Sequence, residues 1–230
     1  MKNIKNIKKI GFAVALEKEL AEFTAAFKNA QIIKKGAYEV IFATSGDKEL
    51  YMLQTGVGEI SAACATQFLI TAFGVQAVIN FGVCGKINPQ YKILDTVAIK
   101  SVVHYQFDTS AIDDVPPARY LPFESEFIPT DGELLALVDE VCPDAYKAIC
   151  ASGDKFVGDE QTKSKLRSDF GADVCEMEAA GVLLTAIKNG VPALIIKSVS
   201  DDCDAMDFTT YLQKAAKAHI ELVLKLTAAV

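Results

Sequence analysis

The sequence predicts an α/β fold on a mostly parallel central sheet. Apolar, β-rich runs alternate with helical patterns along the whole of its 230 residues, the signature of strands layered with helices. The strand-like runs, such as 10–15, are apolar throughout, as strands covered on both faces are. No linker-like stretch, internal repeat or low-complexity tract interrupts the alternation, so one domain over 1–230 is expected.

Residues 10–15 read as a buried strand. Residues 17–28 follow as a helix with Leu16, Leu20, Phe23 and Phe27 on one stripe. Residues 38–44 and 49–55 read as a hairpin around Ser45, Gly46 and Asp47. A helix is expected at 60–73, a short buried strand at 77–81 and a β-rich run at 93–103. Helix 132–141, strand 148–152 and helix 161–170 come next. Helix 177–189 is stopped by Asn189, Gly190 and Pro192. Strand 193–200 precedes a closing amphipathic helix, 208–227, which Asp207 is expected to cap. The stretch 105–129 stands apart, with four of the seven prolines and no periodicity. It reads either as a functional lid or interface loop or as a plain surface excursion.

Composition removes several classes of function. A net charge of -7 argues against nucleic acid as a partner. No apolar run approaches the ~20 residues of a membrane span, so no membrane contact is expected. The basic, then apolar N-terminus is rejected as a signal peptide, because Glu17, Lys18 and Glu19 follow at once without a cleavage site. The six cysteines show no CxxC spacing and only two histidines exist, His104 and His219. No metal site is expected, and free thiols in a reducing cytoplasm fit better than disulfides.

In open α/β sheets, ligands bind where strands end, and five such places carry suitable residues. After the first strand, Glu19 lies about 60° from the apolar stripe on a helical wheel. It is either a cleft-facing carboxylate or, like Glu17, an acid serving the helix dipole. Thr55-Gly56-Val57-Gly58-Glu59 is a glycine turn whose amides could hold a polar group, or simply a tight turn. Asn80-Phe81-Gly82-Val83-Cys84-Gly85 reads as a second glycine turn, with Cys84 a buried inert thiol rather than a nucleophile. In Cys175-Glu176-Met177-Glu178 the two glutamates share one face of an extended segment. They suit a ribose diol, since a carboxylate accepts two hydroxyls, or merely begin a helix. Finally, Ser200-Asp201-Asp202-Cys203-Asp204 crowds three aspartates at a strand end. Mutual repulsion can keep one protonated as an acid; a solvated turn is the alternative.

Together these residues resemble the nucleoside phosphorylase/nucleosidase superfamily, and within it the 5′-methylthioadenosine/S-adenosylhomocysteine nucleosidases. The carriers are IGFAVALEKEL, TGVGEISAA, INFGVCGKI, SGDKFVGD, VCEMEAAGV and SVSDDCD, the last two most specific. The resemblance implies a three-layer α/β/α fold of the nucleoside phosphorylase type, with a mixed, mostly parallel sheet. It implies an N-ribosyl hydrolase that releases adenine from 5′-methylthioadenosine, S-adenosylhomocysteine or both, without a cofactor. By that resemblance Asp201, beside Ser200, donates a proton to purine N7, and Glu19 activates the attacking water. Glu178 grips the ribose hydroxyls, with Glu176 beside it, and Met177 lies against the sugar. Phe156 stacks on the base next to Val157. Val57 lines the 5′ pocket, to which Ile112 contributes from a neighbouring subunit. The family is typically dimeric, so a cytoplasmic homodimer acting in methionine salvage is expected. Two departures stand out: Val83 where serine is common, and Lys197 where arginine is common.

A phosphorylase would need phosphate held by arginine forks or backbone nests. Only Arg119 and Arg167 are arginines, and neither falls in a glycine turn. Hydrolysis is the expected reaction. A phosphorylase, or a nucleoside-binding protein of the same fold without turnover, remains the alternative.

Overall fold

The computed structural model describes residues 4–121 and 123–230, with the side chain of Lys5 left aside. Met1 to Asn3, part of the segment weighed as a signal peptide, and Pro122 of the long loop lie outside the described residues. The strands are β1 (Lys9–Val14), β2 (Gln31–Lys35), β3 (Tyr38–Ser45), β4 (Lys48–Gln54), β5 (Ala77–Lys86), β6 (Thr96–His104), β7 (Phe127–Pro129), β8 (Tyr146–Ser152), β9 (Val174–Glu176) and β10 (Ala193–Asp201). The helices are α1 (Glu17–Thr24), α2 (Glu59–Phe73), α3 (Gly132–Val141), α4 (Glu160–Phe170), α5 (Ala179–Asn189), α6 (Ala205–Ala218) and α7 (Ile220–Ala229).

All ten strands join one mixed sheet. Its centre, β4-β1-β5-β10, is parallel, and so is β6-β8-β9. The hairpin β2-β3-β4 and the β10–β6 junction are antiparallel. Because β5 pairs with both β10 and β9, the order β5-β10-β6-β8-β9 closes on itself into a five-stranded ring, from which β1, β4, β3 and β2 extend as an open flank.

The central strands are apolar on both parities because both faces are covered. Ala13, Leu53, Val78 and Ile195 pack under α2 and α5. Phe12, Met52, Ile79 and Leu194 pack under α1, α3, α6 and α7. These two apolar layers on either side of the sheet are the three-layer arrangement the sequence suggests.

The differences from the sequence reading have physical causes. The glycine turn expected at 82–85 is instead the continuation of β5, which pairs with β10 through Gly85. There the glycines leave room for side chains rather than reversing the chain. Strand β2 escapes the pattern because it is an exposed, lysine-bearing edge. β7 is three residues inside the long loop. The closing helix breaks at His219, and its cap is Asp204, which accepts from Met206 and Asp207, not Asp207 itself. At Asn189 the expected stop is made by Gly190 in the left-handed region, φ 62°.

Candidate active site

Helix α1 begins directly after β1, and Glu19 occupies its third position. One carboxylate oxygen accepts from the Leu16 amide and the other from the Val83 amide of β5, each at 2.9 Å. The side chain is therefore folded back into the protein, while Glu17 and Lys18 face solvent. A Cβ at Gly82 would sit 2.8 Å from Glu19 Oε1, so this strand position must be bare. Burial raises the Glu19 pKa, against the lowering effect of Lys197 and the two amides.

Asp201 ends β10, at an irregularity in its pairing with β5. Its Oδ2 accepts from Ser200 Oγ at 2.7 Å. Its Oδ1 is buried without a hydrogen-bond partner among the described residues. Burial pushes the Asp201 pKa up, opposed by Ser200 and the neighbouring amides. The three clustered aspartates divide their work. Asp202 faces outward and pairs with Lys163 and, at 3.0 Å, with Lys86, and Asp204 caps α6. Among the described residues, no group of three or more His, Cys, Asp or Glu is placed to hold a metal ion. Cys84 is buried, and burial raises its thiol well above the ordinary value, which leaves it protonated and unreactive.

Glu176 and Glu178 both turn toward Lys197, a wholly buried lysine of β10, at 2.9 and 3.9 Å. Burial disfavours the Lys197 charge, but Glu176, Glu178 and Glu19 outweigh it and hold the ammonium ionised. The Glu176 carboxylate is fully engaged by the protein. Besides Lys197 it accepts from the amides of Glu178 and Ala179 and from Ser152 Oγ. Burial opposes its ionisation, yet Lys197 and these donors keep its pKa below the usual value. Glu178 differs: burial raises it to about 7, and its Oε1 accepts from the Gly58 amide at 3.0 Å.

Glu19, Glu176, Met177, Glu178, Ser200 and Asp201 line one cleft, of about 500 Å³ including its mouth, with Val57 and Phe156 at its walls. Val157 lines a smaller hollow adjoining it behind Phe156. Ile112 does not line this cleft; it stands 84% exposed on the long loop. Two features went unnoticed in the sequence. Phe208 of α6 meets Phe156 edge-on at 5.7 Å across the opening; an aromatic in the first turn after the aspartate cluster was its only signal. Glu59 is buried against Ser152 and Gly181. It is the one charged residue in α2, an otherwise uncharged helix, and that isolation was the available sign.

Both arginines are committed elsewhere. Arg119 binds the Phe123 carbonyl, and Arg167 binds Asp173 and the carbonyls of Gly171 and Ala172. Neither lines the cleft.

The family model described as "Phosphorylase superfamily" matches residues 9–228. The chain belongs to the phosphorylase superfamily. Among superfamily relatives, the aminodeoxyfutalosine nucleosidase of Helicobacter pylori strain J99 is 31% identical over 225 residues, covering 91% of this chain and 94% of its own. The 5′-methylthioadenosine/S-adenosylhomocysteine nucleosidase of Shewanella putrefaciens is 30% identical, with 90% and 93% covered. The structure of the futalosine hydrolase of Helicobacter pylori strain 26695 superposes with a TM-score of 0.91 at 30% identity, over 97% of this chain and 99% of that one. These relatives carry the names of nucleosidases and hydrolases within a superfamily named for phosphorolysis. No helix of the described residues is long and apolar enough to cross a membrane.

Proposed function

We propose that this protein is a nucleosidase that hydrolyses the N-glycosidic bond of a 5′-substituted adenosine and releases adenine. The observation that carries the reading is the meeting of Glu19 and Asp201, both buried with raised pKa, on one cleft. Adenine is a poor leaving group as an anion, so the base must be protonated as its bond to C1′ breaks. Asp201, with one oxygen unpartnered, gives its proton to N7. The bond's electron pair goes to the base, and C1′ takes on oxocarbenium character. Water attacks C1′ and passes a proton to Glu19, leaving free adenine and a free 5′-substituted ribose. Two carboxyls in different environments solve the related problem in glycosidases.

Glu178 accepts the ribose hydroxyls, Met177 lies against the sugar, and Phe156 with Phe208 holds the base. Val57, 51% exposed and apolar, borders the 5′ group. Glu176 acts as scaffold, because its oxygens are already engaged by protein donors. 5′-Methylthioadenosine and S-adenosylhomocysteine are the first candidates. The similarity to aminodeoxyfutalosine nucleosidases adds a larger 5′ substituent as a second. The chain acts as one domain in a cytoplasmic homodimer, in which Ile112 of one subunit reaches the 5′ pocket of the other. With the methylthio substrate its place is methionine salvage.

The test is a panel of 5′-methylthioadenosine, S-adenosylhomocysteine, aminodeoxyfutalosine and adenosine, with and without phosphate, following release of adenine. Hydrolysis in phosphate-free buffer is expected. A ribose 1-phosphate product that forms only with phosphate would reverse the assignment, and tight binding without turnover would make this a binding protein.

A further inference from the structure

We infer that Glu59 is a positioning residue: as a neutral carboxylic acid it hydrogen-bonds through Ser152 to Glu176, locking the first turn of α2 onto the first turn of α5. The inference rests on the nucleosidase reading for its consequence, since these two turns carry Gly58 and Glu178.

The hydrogens at this junction can be counted. Ser152 Oγ is in hydrogen-bond contact with Glu59 Oε1 and lies 2.5 Å from Glu176 Oε1, and it accepts from the Ala180 amide at 3.2 Å. A serine hydroxyl has a single hydrogen to give. It satisfies one of the two carboxyl oxygens, so the other carboxyl brings its own proton. Glu176 is the ionised partner, with the Lys197 ammonium at 2.9 Å and two backbone amides on its oxygens. Glu59 has one amide, that of Gly181 at 2.5 Å, and no salt-bridge partner among the described residues. The chain therefore runs from the Glu59 hydroxyl to Ser152 Oγ, and from the Ser152 hydroxyl to Glu176.

Burial and the neighbouring Glu176 charge push Glu59 up to about 8, in keeping with this count. The other titratable groups facing the cluster are Glu178 at the head of α5, Lys197 from β10, Cys150 from β8, Asp154 beyond β8, and Tyr105 and Tyr120 from the long loop. Loss of the Glu59 proton would set two anions against one hydroxyl. They would repel across a junction so close that any side chain at Gly181 would collide with the Glu59 backbone. The hydrogen bond from the Gly58 amide to Glu178, 3.0 Å, spans that junction.

The test uses 5′-methylthiotubercidin, whose base has carbon in place of N7, so its binding does not depend on a proton from Asp201. Glu59→Ala should weaken its Kd about tenfold, with free adenine affected less than about threefold. Glu59→Gln, the neutral isostere, should rescue the riboside Kd. For wild type, a group titrating near 8 falls from about nine-tenths to one-tenth neutral between pH 7 and 9, so Kd should weaken by up to about tenfold; the Glu59→Gln profile should lose this change and keep only the one that Glu178, near 7, contributes. An infrared difference spectrum, wild type minus Glu59→Gln at neutral pH, should show a protonated-carboxyl carbonyl band. A Glu59→Gln protein as weak as Glu59→Ala, an unchanged pH profile, or no such band overturns the proposal. The band is read without turnover, so it stands even if no substrate is cleaved and the nucleosidase reading fails.

Discussion

Around the cleft, burial pushes Glu19, Glu59, Glu178 and Asp201 above the ordinary carboxyl range. On the outside, lysines hold Asp47, Asp169 and Glu221 below it, and the Thr162 amide does the same for Asp159. The residue types are the same; their surroundings differ. Outside, a carboxylate meets water and a flexible cation, and its charge is easily kept. At the cleft, Glu176 is ionised below its usual pKa, because Lys197 is buried with it. One internal cation shared among several acids leaves the rest with raised pKa values, a direction that suits proton transfer at neutral pH.

The comparison breaks most sharply at the cleft. Asp201→Asn and Glu19→Gln should each lower kcat/KM by about 10²–10⁴ while the fold survives, as measured with adenine release and thermal melting. Near-normal turnover in either would remove that residue from its role. Next is Lys197→Met, which strands the Glu176 charge inside. Breaking a buried pair this way should destabilise by about 3–5 kcal/mol in urea unfolding, and an unchanged midpoint would mean that Glu176 is neutral.

Acid stability gives a smaller effect with a defined sign. His219 is fully buried, and burial and Lys197 lower its pKa to about 3. The unfolded chain takes up this proton near 6.5 and the native one does not. The stability His219 supplies is therefore complete above about pH 6.5 and lost as pH falls toward 3, by up to about 1.4 kcal/mol per pH unit. Glu59 and Glu178 oppose this, since their raised values favour the native state as pH drops from 8 toward 4.5. The slope should thus be read as a difference between wild type and His219→Gln, and equal slopes would show that His219 is protonated in place. The smallest effect belongs to the outside. Lys34→Ala removes a fully exposed partner of Glu39 and should leave the urea midpoint unchanged within error; a clear shift would show that the surface pairs are not the weak half of the comparison.

The alternation of strands and helices was legible because burial on two faces writes itself into continuous apolar runs. Glu19 was legible from its place on the helical wheel, and Asp201 from aspartates crowding the end of an apolar strand. What stayed hidden depends on contacts distant in sequence. Glu59, Ser152, Glu176 and Lys197 come from four separate elements, and none signals the others. Gly82 and Gly85 read as a turn because a glycine kept bare for the Glu19 and Asp201 carboxylates looks, in one dimension, like a glycine kept for bending. Ile112 lies in solvent on its own chain, and its place at the 5′ pocket rests on the proposed homodimer.

The closed ring β5-β10-β6-β8-β9 behaves like the hoop of a barrel. Glu176, Lys197 and Asp201 are staves of that hoop, and Glu19 is hydrogen-bonded to it through Val83. An isosteric change at one acid leaves the hoop closed, whereas a change that breaks strand pairing anywhere on it moves all of these side chains together. Val57 and the loop bearing Ile112 lie off the hoop, so side chains there can change without disturbing its frame.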